Sequence, residues 1–225
     1  MGKERQYIIS YMTLRKTVGW LGISLPFALL IGNSLLSWLT DFEIGCNPIK
    51  SSISHYYYTR MGEIFGGTLC AVSLFLFCYK GYEKIDSRSS NIAGIFCLGV
   101  VLFPTSSTNA IPCNLRGYVA DSLTGTIHLS CASLFFITLA YMSYFLFTKT
   151  GGVMTPQKIK RNFIYRTCAI VIIASIAILA LYVFVLEDKF PALVPYHIVF
   201  WFEALALIAF GISWLTKGEF LLKDE

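Results

Sequence analysis

The chain has 225 residues, of which 56% are hydrophobic and 14% charged, with a formal net charge of +5 at pH 7. Soluble domains carry about 25% charged residues, so this low fraction, set between long uncharged runs, excludes an ordinary soluble domain and points to the membrane class. The positive balance sits in a few short connectors, which excludes a nucleic-acid-binding surface as its reading.

Six apolar segments follow in chain order, each near the ~20 residues a helix needs to cross the hydrocarbon core. The first, roughly 17–39, comes after Lys3, Arg5, Arg15 and Lys16 and contains Pro26, which predicts a kink. It is longer than the apolar core of a signal peptide and lacks a small-x-small cleavage site, so it reads as an uncleaved span. A connector with Cys46, Lys50 and the run SSISHYYYTR (51–60) leads into the second segment, roughly 61–80. There Gly62 and Gly66, with Gly67, have the small-xxx-small spacing that lets helices approach within this bundle. The third segment, roughly 91–108, contains Pro104, predicting a second kink, and exits through FPTSSTNAIPCN (103–114). The fourth, roughly 122–147, is preceded by Asp121 and carries His128. A connector with Lys149, Lys158, Lys160, Arg161 and Arg166 then leads to the fifth, roughly 166–186. That cluster reads as a surface facing anionic lipid or as topogenic charge. The sixth, roughly 195–216, holds His197 and Glu203.

Lipid cannot satisfy exposed backbone groups, and no segment alternates as a barrel strand would. The expected fold is therefore all-α: a polytopic, six-transmembrane-helix bundle forming one membrane domain over 1–225. Lys and Arg concentrate before the first span, in the second and fourth connectors and in the tail, which predicts cytoplasmic termini. On that topology Cys46 and Cys113 share the outer side, where a disulfide between them is a candidate.

The outer ends also collect the ionisable groups. His55, His128 and His197 all lie there, Asp121 is seven residues before His128 on one helix face, and Glu63 begins the second span. Glu203 lies six residues beyond His197, about 9 Å deeper, where an acid must be buried and paired. Ser54, His55, Arg60, Glu63, Asp121, His128, His197 and Glu203 are thus the candidate ligand-binding residues, with Arg60 suited to a lipid phosphate. Five of them, His55, Asp121, His128, His197 and Glu203, are also candidate catalytic groups. The three histidines are a candidate zinc set with an open position for water, although no HxxxH or HExxH spacing is present. Tyr56, Tyr57 and Tyr58 stand where interfacial belt aromatics belong, and at least two are expected to serve as belt.

SISHYYY before the second span, TIHLSCASLFFITLAYMSYFLF around His128 and YHIVFWFEALALIAFGISWLTKG around Glu203 resemble bacterial multi-span membrane proteins. More distantly they resemble the six-span family of damage-regulated autophagy modulators and Frag/Sfk GPI-remodelling proteins. The family's IS motif, early span-four histidine and span-six acid match Ile53 with Ser54, His128 and Glu203. The resemblance covers nearly the whole chain and implies a multi-pass protein, of a bacterial inner membrane, with a lipid-related role. A second likeness, to the ceramidase and progestin-receptor-like hydrolases, rests on the Ser51–His55 spacing; their seventh span and HxxxH motif are missing. Three functions follow as expectations. The first is binding or organising a lipid or amphiphile in a polar outer pocket. The others are a metal-assisted lipid hydrolase or acyl transferase, and a transporter or channel using Glu203.

Overall fold

Local chemistry fixes where several helices begin. Asp121 accepts a hydrogen bond from the Thr124 amide at 2.7 Å, and Thr155 accepts one from the Lys158 amide with Pro156 in the first turn. Glu83 and Asp86 form a reciprocal capping box. Each satisfies amides that have no partner within their own helix.

The computed structural model describes residues 2–39, 48–106, 115–117, 119–152 and 154–222, with side chains described from residue 11 onward. Its α-helices are α1 (Gly2–Leu39), α2 (Gly62–Cys78), α3 (Lys84–Leu102), α4 (Ser122–Tyr141), α5 (Pro156–Leu181) and α6 (Ile198–Lys217). Wider π turns prolong α4 through Leu146 and α5 through Leu186. Short 3-10 turns cover Ser54–Tyr58 and Pro191–Tyr196. Among the described residues there is no β-strand, only an isolated bridge between Ser106 and Ala120.

Five helices are long and apolar enough to cross a membrane: those within Tyr11–Leu39, Lys84–Leu102, Ser122–Leu146, Pro156–Leu186 and Ile198–Lys217. The sixth, α2, is apolar but has 17 residues, which at 1.5 Å each reach about 25 Å, short of a ~30 Å hydrocarbon core. Pro26 lies inside α1, whereas Pro104 falls just beyond α3. Pro104 therefore follows the end of that helix and does not kink it.

Each helix packs on its neighbour in the chain, and α6 closes back against α1. In lipid this association depends on close packing and buried hydrogen bonds more than on the hydrophobic effect. One close seam is α1 against α6. A Cβ added to Gly211 would lie 2.5 Å from the Gly19 carbonyl oxygen and 3.0 Å from the Ile23 amide nitrogen. The expected small-residue pattern at Gly62, Gly66 and Gly67 is uneven: a Cβ on Gly62 would lie 2.5 Å from the Tyr57 carbonyl oxygen, one on Gly66 would meet Val101 at 3.7 Å, and one on Gly67 would meet nothing within 4 Å. Serines stitch other pairs, with Ser73 donating to the Gly94 carbonyl, Ser90 to the Leu76 carbonyl and Ser143 to the Tyr165 carbonyl. Phe65, Phe135, Phe210 and Trp214 fill the centre.

Candidate functional site

The segment before α2 is folded inward. The Ser51 carbonyl accepts from the Phe200 amide at 3.1 Å, joining the segment to the first turn of α6. The 3-10 turn Ser54–Tyr58 then aims alternate side chains at the bundle. Tyr56 and Tyr58 are fully buried; only Tyr57, of the three tyrosines, is partly exposed. Tyr56 donates to the Pro48 carbonyl at 2.9 Å, and burial pushes its phenol up to about 12. Tyr58 donates to the Thr105 carbonyl at 2.6 Å and accepts from the Ala120 amide at 3.1 Å. These hydroxyls tie together connectors that lack secondary-structure pairing, which corrects the belt reading for Tyr56 and Tyr58.

Ser54 and His128 meet at the centre of this end. His128 Nδ1 lies 2.7 Å from the Phe103 carbonyl and 3.2 Å from that of Val100. Carbonyls only accept, so Nδ1 carries a hydrogen, and a neutral imidazole accepts at Nε2 from the Ser54 hydroxyl, 2.9 Å away. Ser54 and His128 are 8% and 5% exposed. Their backbone neighbour is Glu203, whose Oε2 accepts from the Ile53 amide at 2.6 Å, while the Ser54 amide is directed at the same carboxylate. Glu203 thus has its partners between helices and the inturned segment.

His55 belongs to the same segment but to a separate hydrogen-bond group. Ser52 Oγ accepts from the His55 amide at 3.2 Å and is hydrogen-bonded to His55 Nδ1 at 2.5 Å. Burial, and then the nearby His128 and Lys50, push the imidazole from 6.5 down to about 4. Protonation would place a charge on a ring that has lost most of its water, beside a second histidine and a lysine.

The other candidates lie elsewhere. Asp121 caps α4, and the Thr124 amide holds its carboxyl below the usual range. His197 occupies the turn into α6 with a left-handed φ of 51°. Glu63 pairs with Arg116 at 2.9 Å on the surface, and exposed Arg60 borders the same polar groove. Among the described residues no three His, Cys, Asp or Glu side chains are close enough to hold a metal ion. The structure therefore does not bring His55, His128 and His197 together as a zinc set. Cys46 and Cys113 lie outside the described residues.

Ser54, Ile53 and Glu203 border a small apolar cavity of about 40 Å³ in the bundle core, closed by Phe65, Phe135 and Leu207 among others. A second, larger groove of about 410 Å³ runs between α4, α5 and α6, lined by Leu129, Leu134, Ile176, Val183 and Phe184. Ala132, Phe136 and Glu203 border both spaces. An apolar groove on the bundle side thus reaches a buried carboxylate. Nothing in the sequence marks Ala132, Phe136 or the two carbonyls that orient His128; the IS dipeptide at Ile53 and Ser54 and the helix-borne His128 are the nearest cues.

No protein-family model matches this chain, and no curated protein or solved structure matches it. Functional inference therefore rests on the chemistry of these residues.

Proposed function

We propose that the chain binds a membrane amphiphile, with an apolar tail in the α4–α5–α6 groove and a polar group at Glu203, Ser54 and His128. The observation that carries this reading is the position of Glu203, a carboxylate that borders both the apolar groove and the core cavity. An acid at that depth needs partners, and the Ile53 amide supplies one. A neutral or cationic head with a hydrogen-bond donor suits a carboxylate; a phosphate head does not. The resemblance to the Frag/Sfk and autophagy-modulator family is part of the same proposal.

The proposal extends to topology. α2 is taken to cross the membrane as the sixth span, with both termini cytoplasmic and the Glu203 end outside, in a bacterial inner membrane. What supports this is the basic content of the connectors at the opposite end, 80–84 and 149–161.

The test is mass spectrometry of amphiphiles that co-purify with the chain in mild detergent. Ala132→Trp fills the wall shared by groove and cavity. Loss of one co-purifying species from that variant, with its melting temperature kept, supports the reading; an unchanged amphiphile profile sinks it.

One observation favours a second reading, acyl transfer. Ser54 and His128 are placed as nucleophile and base, with the base oriented by backbone carbonyls. Against it, the Ile53 and Ser54 amides, natural donors to an oxyanion, face the Glu203 carboxylate. Covalent labelling of Ser54 by a fluorophosphonate, abolished in His128→Gln, would favour acyl transfer over simple binding.

A further inference from the structure

The opposite end of the bundle holds a polar pocket of about 230 Å³ that the amphiphile reading does not use. It opens among α1, the turns joining α2 to α3 and α4 to α5, the first turns of α5 and the end of α6. Arg15, Lys149, Lys158, Arg161 and Lys217 border it, with Glu219 as the bordering carboxylate. Glu83 pairs with Lys149 at 2.9 Å, and Asp86 adds its charge nearby. Basic side chains thus outnumber carboxylates among the described residues that line it.

Arg15, Arg161 and Lys217 are each 7–8% exposed, so their charges have lost most of their water. For Arg15 and Lys217, neighbours among the described residues only partly replace it. Arg15 Nη1 donates to the Lys217 carbonyl at 3.2 Å and the guanidinium stacks 4.2 Å from the Tyr11 ring centre, while its Nε is buried with no acceptor. Lys158 donates to the Phe147 carbonyl at 2.9 Å. The Lys217 ammonium sits 5.1 Å and 5.2 Å from the Tyr82 and Phe147 ring centres and donates no hydrogen bond among the described residues. Arg161 lies 3.7 Å from Glu219, longer than a close ion pair. The α5 N-terminus, capped by Thr155, adds its positive dipole to the same space.

A buried ammonium such as that of Lys217, held by ring faces alone among the described residues, costs several kcal/mol. Guanidinium forks and ammoniums converging on a helix N-terminus are the donor set that binds phosphate. We propose that this pocket is a binding site for a dianionic phosphate group, carried by a soluble phosphomonoester or by a lipid head group. Arg15 contributes its guanidinium, and Lys217 and Lys158 contribute ammoniums, to that group.

The experiment uses the full chain in zwitterionic phosphatidylcholine nanodiscs and follows melting temperature. Inorganic phosphate, short-chain phosphatidic acid and, at matched ionic strength, chloride are added in turn. The proposal expects a saturable rise with at least one phosphate probe and none with chloride. A rise with inorganic phosphate identifies the soluble source; a rise with phosphatidic acid alone identifies the head group. Lys217→Met keeps the side chain's length and removes a buried charge. That variant should fold and bind the effective probe at least about tenfold more weakly, the value of one charge-assisted hydrogen bond. No rise with either phosphate probe, an equal rise with chloride, or undiminished binding by folded Lys217→Met overturns it.

Discussion

Glu203 and Lys217 lie on one helix, fourteen residues and therefore about 21 Å apart, yet their surroundings are built differently. Around Glu203 the polar groups answer one another: the Ile53 amide meets the carboxylate, the Ser54 hydroxyl meets His128, and carbonyls of α3 meet the other side of that ring. Around Lys217, cations lean on carbonyl oxygens and aromatic faces and, among the described residues lining that pocket, outnumber the carboxylates. Around Glu203 the polar groups meet one another beside an apolar space, whereas around Lys217 basic side chains line a polar space. Mutually bonded groups specify structure and the apolar space offers shape to an amphiphile, while converging basic groups attract a counter-anion.

The comparison breaks first at the seam both ends share. Gly211→Val drives a side chain into the α1 backbone, and the expected loss is about 3 kcal/mol or more. Reversible unfolding in detergent should show it, together with loss of binding at both ends; retention of either would mean that the ends fold independently of the seam.

Glu203→Ala comes next, with an expected loss of about 2 kcal/mol from a buried amide left without an acceptor. Glu203→Gln keeps a carbonyl oxygen there and should lose less than half as much. At the opposite end the sign reverses: Lys217→Met, measured without phosphate, should gain about 1 kcal/mol by removing a buried like charge. If both charge removals destabilise alike, the contrast between the ends is wrong.

Tyr58→Phe should cost about 1–2 kcal/mol, because the Thr105 carbonyl and Ala120 amide both lose their partner. A belt tyrosine would show almost none. Acid should also act on the Glu203 end through His55. Its folded value of about 4 lies below the ordinary 6.5, so in between the unfolded chain takes up a proton that the folded chain refuses. The contribution is intact above about 6.5, declines as pH falls, and stops declining near 4. Unfolding free energy of wild type and His55→Gln, compared across that window, should diverge in this way; parallel curves would remove His55 as the cause. The smallest effect belongs to Glu63→Gln, within about 0.5 kcal/mol, since its ion pair with Arg116 is at the surface.

Composition and hydropathy alone determined the all-helical membrane class, the rough position of every helix and the clustering of histidines and acids toward one end. Those properties are local: apolar runs of this length in lipid must satisfy their own backbone, and helices are how they do it. His128 and Glu203 were also legible, because polar groups within apolar helices need partners. Which partners they take was not. Ser54 and His55 are adjacent, and the 3-10 turn sends Ser54 to His128, 74 residues away, and His55 back to Ser52. Asp121, placed on the His128 face by spacing, is used by its own helix as a cap. The three tyrosines read as a surface belt because their hydroxyls tolerate an interface; distant carbonyls at Pro48 and Thr105 made burial of two of them favourable. Likewise, charges scattered over residues 15–217 read as topogenic loops, and only closure of α6 against α1 and α5 gathered them around one pocket. Sequence sets what each segment must bury, while tertiary packing decides which distant group satisfies it and where satisfaction falls short.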